Sequence, residues 1–285
     1  MAGYYCVMNP LELSEEELRI QAEAIRFVES HKQDLVDTFI RDKNPLPLGF
    51  ITIFMAGSPG AGKTEFSKRY LPLLPDSQNT GVRTALKGVD IDTPTFDALI
   101  IRIDVDEIRT FLPQYIKSSP VTGVMGNAHI VHKAATKGLS ILREYCFAHD
   151  ISFLHDGTFG NYATMRDIVR KSIQSDREVQ IYYLYIDPLV AWEFTQARER
   201  LEGRNILKER FIEQYFKSQQ NVDRVKREFG AAVKINCVLK NVNNEVIDIA
   251  LNWPSVSHFL EANRRAGLVQ EYTEAQLQEL LRPLV

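Results

Sequence analysis

Gly49-Phe-Ile-Thr-Ile-Phe-Met-Ala56 runs without a break into Gly57-Ser58-Pro59-Gly60-Ala61-Gly62-Lys63-Thr64. The first half is a continuous apolar, β-branched run, the pattern of a central parallel strand covered on both faces. The second half satisfies G-x-x-x-x-G-K-[ST] at every defined position, and it lies between a buried strand and a helix, the context that motif requires. The glycines let successive backbone N–H groups turn inward as an anion nest, and the following helix presents its positive end to the same point. In such a loop the lysine, here Lys63, reaches the β- and γ-phosphates, and the Thr64 hydroxyl ligates magnesium. The stretch therefore predicts binding of ATP with Mg2+.

Outward from the loop, strands alternate with helices. Leu99–Ile103, Ile151–Leu154 and Val179–Ile186 read as further strands, separated by helices at about Asn127–Ala148 and Tyr162–Ile173. This alternation specifies an α/β fold with a parallel sheet and flanking helices, of the P-loop NTPase or nucleoside-kinase type. Upstream, Ser14 with Glu17 forms a capping box that opens a helix from Glu15 to about His31, and a second helical stretch passes through Leu35 and Phe39. Residues 1–48 thus read as a helical flank, and residues 49–230 as the core. Residues 231–285 read as a strand pair (Val233–Leu239, Val246–Ile249) and a helix (about Glu274–Leu281) that complete the same domain. The polar segment Asp76–Thr95 reads as an irregular insertion.

Two strand ends carry carboxylates. Leu99-Ile-Ile-Arg-Ile103 delivers Asp104-Val105-Asp106, and Ile151–Leu154 delivers His155-Asp156-Gly157-Thr158. In open α/β sheets ligands bind at the carboxyl ends of the strands, where these residues emerge. A carboxylate there can orient an acceptor hydroxyl and take its proton as a phosphoryl group leaves ATP. Asp106 equally fits the N-cap of a helix at Glu107-Ile-Arg-Thr110, and Asp156 fits either the magnesium shell or a turn before Gly157. A third element, Thr195-Gln-Ala-Arg198-Glu-Arg200-Leu-Glu-Gly203-Arg204-Asn205, spaces arginines around a glycine, as in a lid at about 195–210 that closes over phosphates. The same charges also suit a solvated helix face. His129 and His132 stand one helical turn apart and are candidates to line a pocket.

Other classes are excluded or disfavoured. No Asp-x-x-Gly follows the loop and no Asn-Lys-x-Asp occurs, so a GTPase is not expected. The formal net charge of -3 over 285 residues, with acids and bases interspersed, argues against a nucleic-acid partner. Three cysteines lie far apart, without metal or redox spacing. No apolar run reaches membrane-spanning length and no leader pattern opens the chain, so a cytoplasmic protein without a membrane partner is expected.

In this order the elements resemble the zeta-toxin family of P-loop kinases, toxins of bacterial toxin–antitoxin pairs. The resemblance covers roughly Gly49 to Arg224. It rests on the phosphate loop, Ile103-Asp-Val-Asp106-Glu-Ile-Arg, Leu112-Pro-Gln-Tyr115, the His129/His132-Ala-Ala stretch, Asp156-Gly-Thr158 and Glu-Gly-Arg204-Asn-Ile. It implies that Lys63 binds ATP and that Asp106 is the base acting on a sugar hydroxyl, with Asp104 beside it. It implies that Asp156 and Thr158 contact substrate or magnesium; His129, as a pocket-lining residue, is a further candidate at the substrate. Arg204 matches one phosphate-binding lid arginine, while Arg198 and Arg200 compete for the other. Members of the family phosphorylate UDP-N-acetylglucosamine, so that nucleotide sugar is the implied acceptor and an antitoxin protein a possible partner. A kinase for another small acceptor, and a non-catalytic ATP-dependent binding module, are the competing expectations.

Overall fold

The structure is a computed structural model that describes residues 13–47, 50–73, 99–117, 119, 126–202 and 206–282, with backbone alone for 199–202. The expected insertion Asp76–Thr95 and Arg204 lie outside the described residues, as does the side chain of Arg200.

β1 (Ile51–Ala56) is buried at every position, which its unbroken apolar run demands. It pairs in parallel with β3 (Phe153–Asp156) on one side and β4 (Glu178–Tyr185) on the other. β2 (Ile101–Asp104) adds in parallel outside β3, and β5 (Val233–Lys240) outside β4. β6 (Val246–Ala250) returns antiparallel along β5, so the six-stranded order is β2-β3-β1-β4-β5-β6. The chain leaves β1 for the far edge, comes back through β3 and then crosses to β4. The order therefore reverses at β1, where an open sheet leaves a crevice beyond its carboxyl ends.

Helices cover the two faces. α1 (Glu15–Ser30) and α2 (Lys32–Phe39) pack on α5 (His132–Ala148), which packs in turn on the short α4 (Val105–Arg109) and on β2. The capping box at Ser14 and Glu17 is present in both directions. Nearer the centre, α6 (Tyr162–Gln174) and α8 (Lys208–Phe229) lie against β1 and β4, enclosing Phe54, Phe66, Phe153, Phe159, Tyr182 and Phe211 in the core. α7 (Pro188–Glu202) precedes α8, while α9 (Val256–Arg265) and α10 (Glu274–Leu280) close the chain.

The structure corrects several expectations. The helix expected from Asn127 begins at His132, because the Asn127 side chain bridges a loop instead, donating to the Gln114 carbonyl at 2.8 Å and accepting from the Ile116 amide at 2.7 Å. His129 therefore sits in a turn, not one helical turn before His132 on the same helix. The helix after the phosphate loop is one α-turn, α3 (Lys63–Glu65), followed by a wider π-turn at Phe66–Tyr70 and a tighter 3-10 turn at Leu71–Leu73. Pro72 offers no N–H to continue an α-helix. α9 has no counterpart in the expected elements; its first amides, Val256 and Ser257, donate to the buried Asp223 carboxylate of α8 at 2.6 and 3.0 Å.

Candidate active site

The register of β2 on β3 sets Asp104 directly beside Asp156 at the carboxyl edge. Both are buried, and two carboxylates at that spacing require a counter-charge. Arg102, two residues earlier on the same face of β2, supplies it. Its guanidinium donates to Asp156 Oδ2 at 2.8 Å, to Asp104 Oδ2 at 3.1 Å and to the Glu107 carboxylate. Burial, with the charges of Asp156 and Asp106 behind it, still pushes the Asp104 carboxyl up to about 6 against the pull of Arg102.

Asp104, not Asp106, caps the following helix: its Oδ1 accepts from the Asp106 amide at 2.8 Å. The capping role that competed for Asp106 is thus filled by its neighbour. Asp106 stands in the first turn of α4, one oxygen accepting from Arg109 at 2.6 Å. Arg109 also reaches His132 Nδ1 at 3.2 Å, and burial together with that guanidinium lowers the His132 pKa.

The phosphate loop meets this carboxylate edge through Thr64, whose hydroxyl donates to Asp156 Oδ2 at 3.1 Å. Lys63 turns back onto its own loop, donating to the Ser58 carbonyl at 2.6 Å and the Gly57 carbonyl at 3.1 Å. Burial lowers its pKa to about 8, with Asp156, Asp104 and Asp106 acting in the opposite direction and the Arg198 charge of α7 acting with burial. Gly60 has φ +77°, and a Cβ there would lie 2.1 Å from the Ala191 carbonyl oxygen of α7, so the loop fits under α7 only as glycine. The loop begins on α8: the Gly57 amide donates to the fully buried Ser218 hydroxyl at 2.6 Å.

α8 also holds the Asp-Gly-Thr element. Thr158 Oγ1 donates to Gln214 Oε1 at 2.5 Å, and Asn221 Nδ2 donates to the Phe159 and Gly160 carbonyls at 3.0 and 2.9 Å. Arg102 and this α8 set were not singled out in the sequence. The signal for α8 is there in retrospect: Gln214, Ser218 and Asn221 fall at i, i+4 and i+7, in step with the buried stripe Phe211, Tyr215, Val222 and Val225.

The structure thus brings together Lys63, Thr64, Asp104 and Asp156, and places Asp106 and Thr158 on the elements that flank them. His129 is set differently: its ring meets Glu17 of α1 at 3.4 Å, and its side chain is 63% exposed. Among the described residues no cluster of three or more His, Cys, Asp or Glu side chains forms a metal site, and no helix is long and apolar enough to cross a membrane.

Residues 95–252, more than half the chain, match the family model for the zeta toxin. The chain belongs to the zeta toxin family. The matched segment starts beyond Gly57–Thr64, so the phosphate loop stands as an observation apart from the family match. The fold of this family member is similar to a solved structure from a study of the PezAT chromosomal toxin–antitoxin system of the human pathogen Streptococcus pneumoniae, with TM-score 0.51 and 16% identity, over 96% of this chain and 95% of that one. A crystal structure titled AvrRxo1-ORF1:-ORF2 with ATP aligns with TM-score 0.49 and 12% identity, over 97% of this chain and 76% of that one. No curated protein gives a significant match.

Proposed function

We propose that this zeta toxin family member is an ATP-dependent small-molecule kinase that transfers the γ-phosphate to a hydroxyl of a sugar nucleotide, UDP-N-acetylglucosamine being the specific acceptor. The observation that carries the reading is the junction of loop and edge: the Thr64 hydroxyl on Asp156, with Asp104 beside it and Asp106 on the next turn. A triphosphate seated on the loop would present its γ-phosphate to those carboxylates.

In the proposed reaction the Asp106 carboxylate accepts the proton of the acceptor hydroxyl. The hydroxyl oxygen bonds to the γ-phosphorus, the bond from that phosphorus to the bridging oxygen breaks, and ADP leaves. Lys63, released from the Gly57 and Ser58 carbonyls, donates to the phosphates. Arg102 holds Asp104 and Asp156 in place, while Gln214 orients Thr158 for the acceptor. Arg204 is assigned to the lid through the family pattern, and Arg198, whose charge Lys63 feels, competes with Arg200 for the second lid position. Thr64 and Asp156 offer adjacent hard oxygens, the donor type that suits Mg2+, and the ion held there would neutralise charge on the transferring phosphoryl group.

The identity of the sugar nucleotide rests on family membership, as does an antitoxin protein as the partner that keeps such a kinase silent. The test is to incubate the purified protein with ATP, magnesium and a panel of nucleotide sugars, nucleosides and aminoglycosides, and to seek by mass spectrometry a product heavier by one phosphoryl group. Phosphorylated UDP-N-acetylglucosamine that disappears in Asp106→Asn supports the whole reading. A product on another acceptor alone removes the substrate, and intact ATP with every acceptor removes the kinase.

A further inference from the structure

One buried charge beside the phosphate loop has no role in the chemistry above. Lys240 is the last residue of β5, at the same carboxyl edge from which the loop springs. It is 3% exposed, and its ammonium nitrogen has no hydrogen-bond partner among the described residues. A lysine head is rarely buried and more rarely left unpaired, because removing an ammonium from water is costly unless an anion replaces the water.

What the ammonium faces is the loop. Gly62 has φ +71°, and a Cβ built on it would lie 2.4 Å from Lys240 Nζ and 2.8 Å from Asn244 Oδ1. The absence of a side chain at Gly62 is what lets the amine sit against the loop backbone. The turn that follows β5 is strapped there by Asn244 Nδ2, which donates to Glu65 Oε2 of α3 at 2.7 Å. Glu65 is the nearby acid whose charge Lys240 feels, but burial outweighs it and lowers the Lys240 pKa. Lys63, the residue after Gly62, is depressed by burial as well. Two buried amines therefore lie against the loop, and among the described residues no carboxylate is hydrogen-bonded to the second.

We infer that Lys240 is a second phosphate-recognition cation of this loop, delivered by the β5–β6 hairpin, and that its counter-ion is the polyphosphate tail of the bound nucleotide. This rests on the proposed nucleotide reading and adds to it a residue far in sequence from the motif. Its charge strengthens the field of the inward-facing amides, and an anion on those amides removes the penalty of an unpaired ammonium.

The experiment is calorimetric titration of the full chain and of Lys240→Met with ATP, ADP, AMP and inorganic tripolyphosphate, without acceptor. A charge-assisted contact of this kind is worth about tenfold in affinity. The expected result is a loss of that size for ATP and tripolyphosphate, a smaller one for ADP and none for AMP. Equal or tighter binding of tripolyphosphate by Lys240→Met overturns the inference, and so does an equal loss for AMP, which would place Lys240 at the nucleoside. Should Lys240→Met not fold, 13C NMR of the lysine ε-carbons in the wild type, assigned with Lys240→Arg, replaces it. The Lys240 amine is then expected to become harder to deprotonate when tripolyphosphate is added, and a titration that does not move overturns the inference. Wild-type protein that binds neither ATP nor tripolyphosphate sinks the nucleotide reading itself, whereas wild-type binding left intact in Lys240→Met removes the Lys240 assignment alone.

Discussion

Asp104 and Asp106 show how two like residues two positions apart are sorted into different tasks. Asp104 faces inward to Arg102 and Asp156 and spends its other oxygen as a helix cap; Asp106 is a third exposed. Asp106→Asn is expected to lower phosphoryl transfer by a factor of about 10² or more, with ATP binding retained, as single-turnover and binding measurements would show. An unchanged rate would shift the base to Asp104. For Asp104 itself, the carboxyl lies at about 6 in the fold and near 3.8 when unfolded. The folded state then holds the proton more tightly, so stability drains away as pH rises from about 4 to 6 and stays lower above. Asp104→Asn keeps the cap acceptor without the proton. Urea unfolding with a chelator present should find the variant improving relative to wild type by about 1 kcal/mol between pH 5 and pH 7; an unchanged difference would mean that Asp104 is not perturbed. The sequence showed the carboxylates but not Arg102, because an arginine amid Leu-Ile-Ile and Ile reads as an outward strand residue until pairing with β3 reveals what lies beside it.

Among the elements, the phosphate loop was legible in full, since its spacing is a local backbone requirement. What it leans on was not. The contact of Gly60 with α7 and the bond from Gly57 to Ser218 of α8 join segments more than a hundred residues apart, and no local pattern encodes which helix returns to cover a loop. Gly60→Ala tests that packing: its Cβ would strike the Ala191 carbonyl at 2.1 Å from a backbone at φ +77°. We expect a loss of about 1–3 kcal/mol in stability and of ATP binding altogether. A variant that binds ATP normally would show that the loop rests elsewhere. The long α8 was obscured by the charged run at its start, which drew the reading towards a lid, although its buried stripe had the spacing of a helix. The strand pair Val233–Leu239 and Val246–Ile249 was legible from two apolar runs flanking Asn241-Val-Asn-Asn244, yet its partner in the sheet was not.

At the scale of the molecule, the alternation of strands and helices predicted the parallel sheet and the motifs in their order carried the family resemblance, while the strand order came only with the structure. The N-terminal helices carried no chemistry in the sequence, and the structure gives them mechanical work. At Gly138, in the middle of α5, a Cβ would lie 2.9 Å from Ile108 of α4 and 3.4 Å from Leu35 of α2, so three helices converge where no side chain intervenes. Asp106 rides on α4, and α4 is braced through α5 by a flank that contributes no strand to the sheet among the described residues. Such peripheral units open at lower free energy than the sheet. In a denaturant series, phosphoryl transfer should therefore fail while the far-ultraviolet signal of the sheet is still intact, with hydrogen exchange quickening first in 15–39. Coincident loss of both would show the flank and the sheet to unfold as one. If the two separate, the working lifetime of the proposed kinase is set by a pair of helices that carry none of the candidate site residues, and the proposed activity can be extinguished while the sheet is still folded.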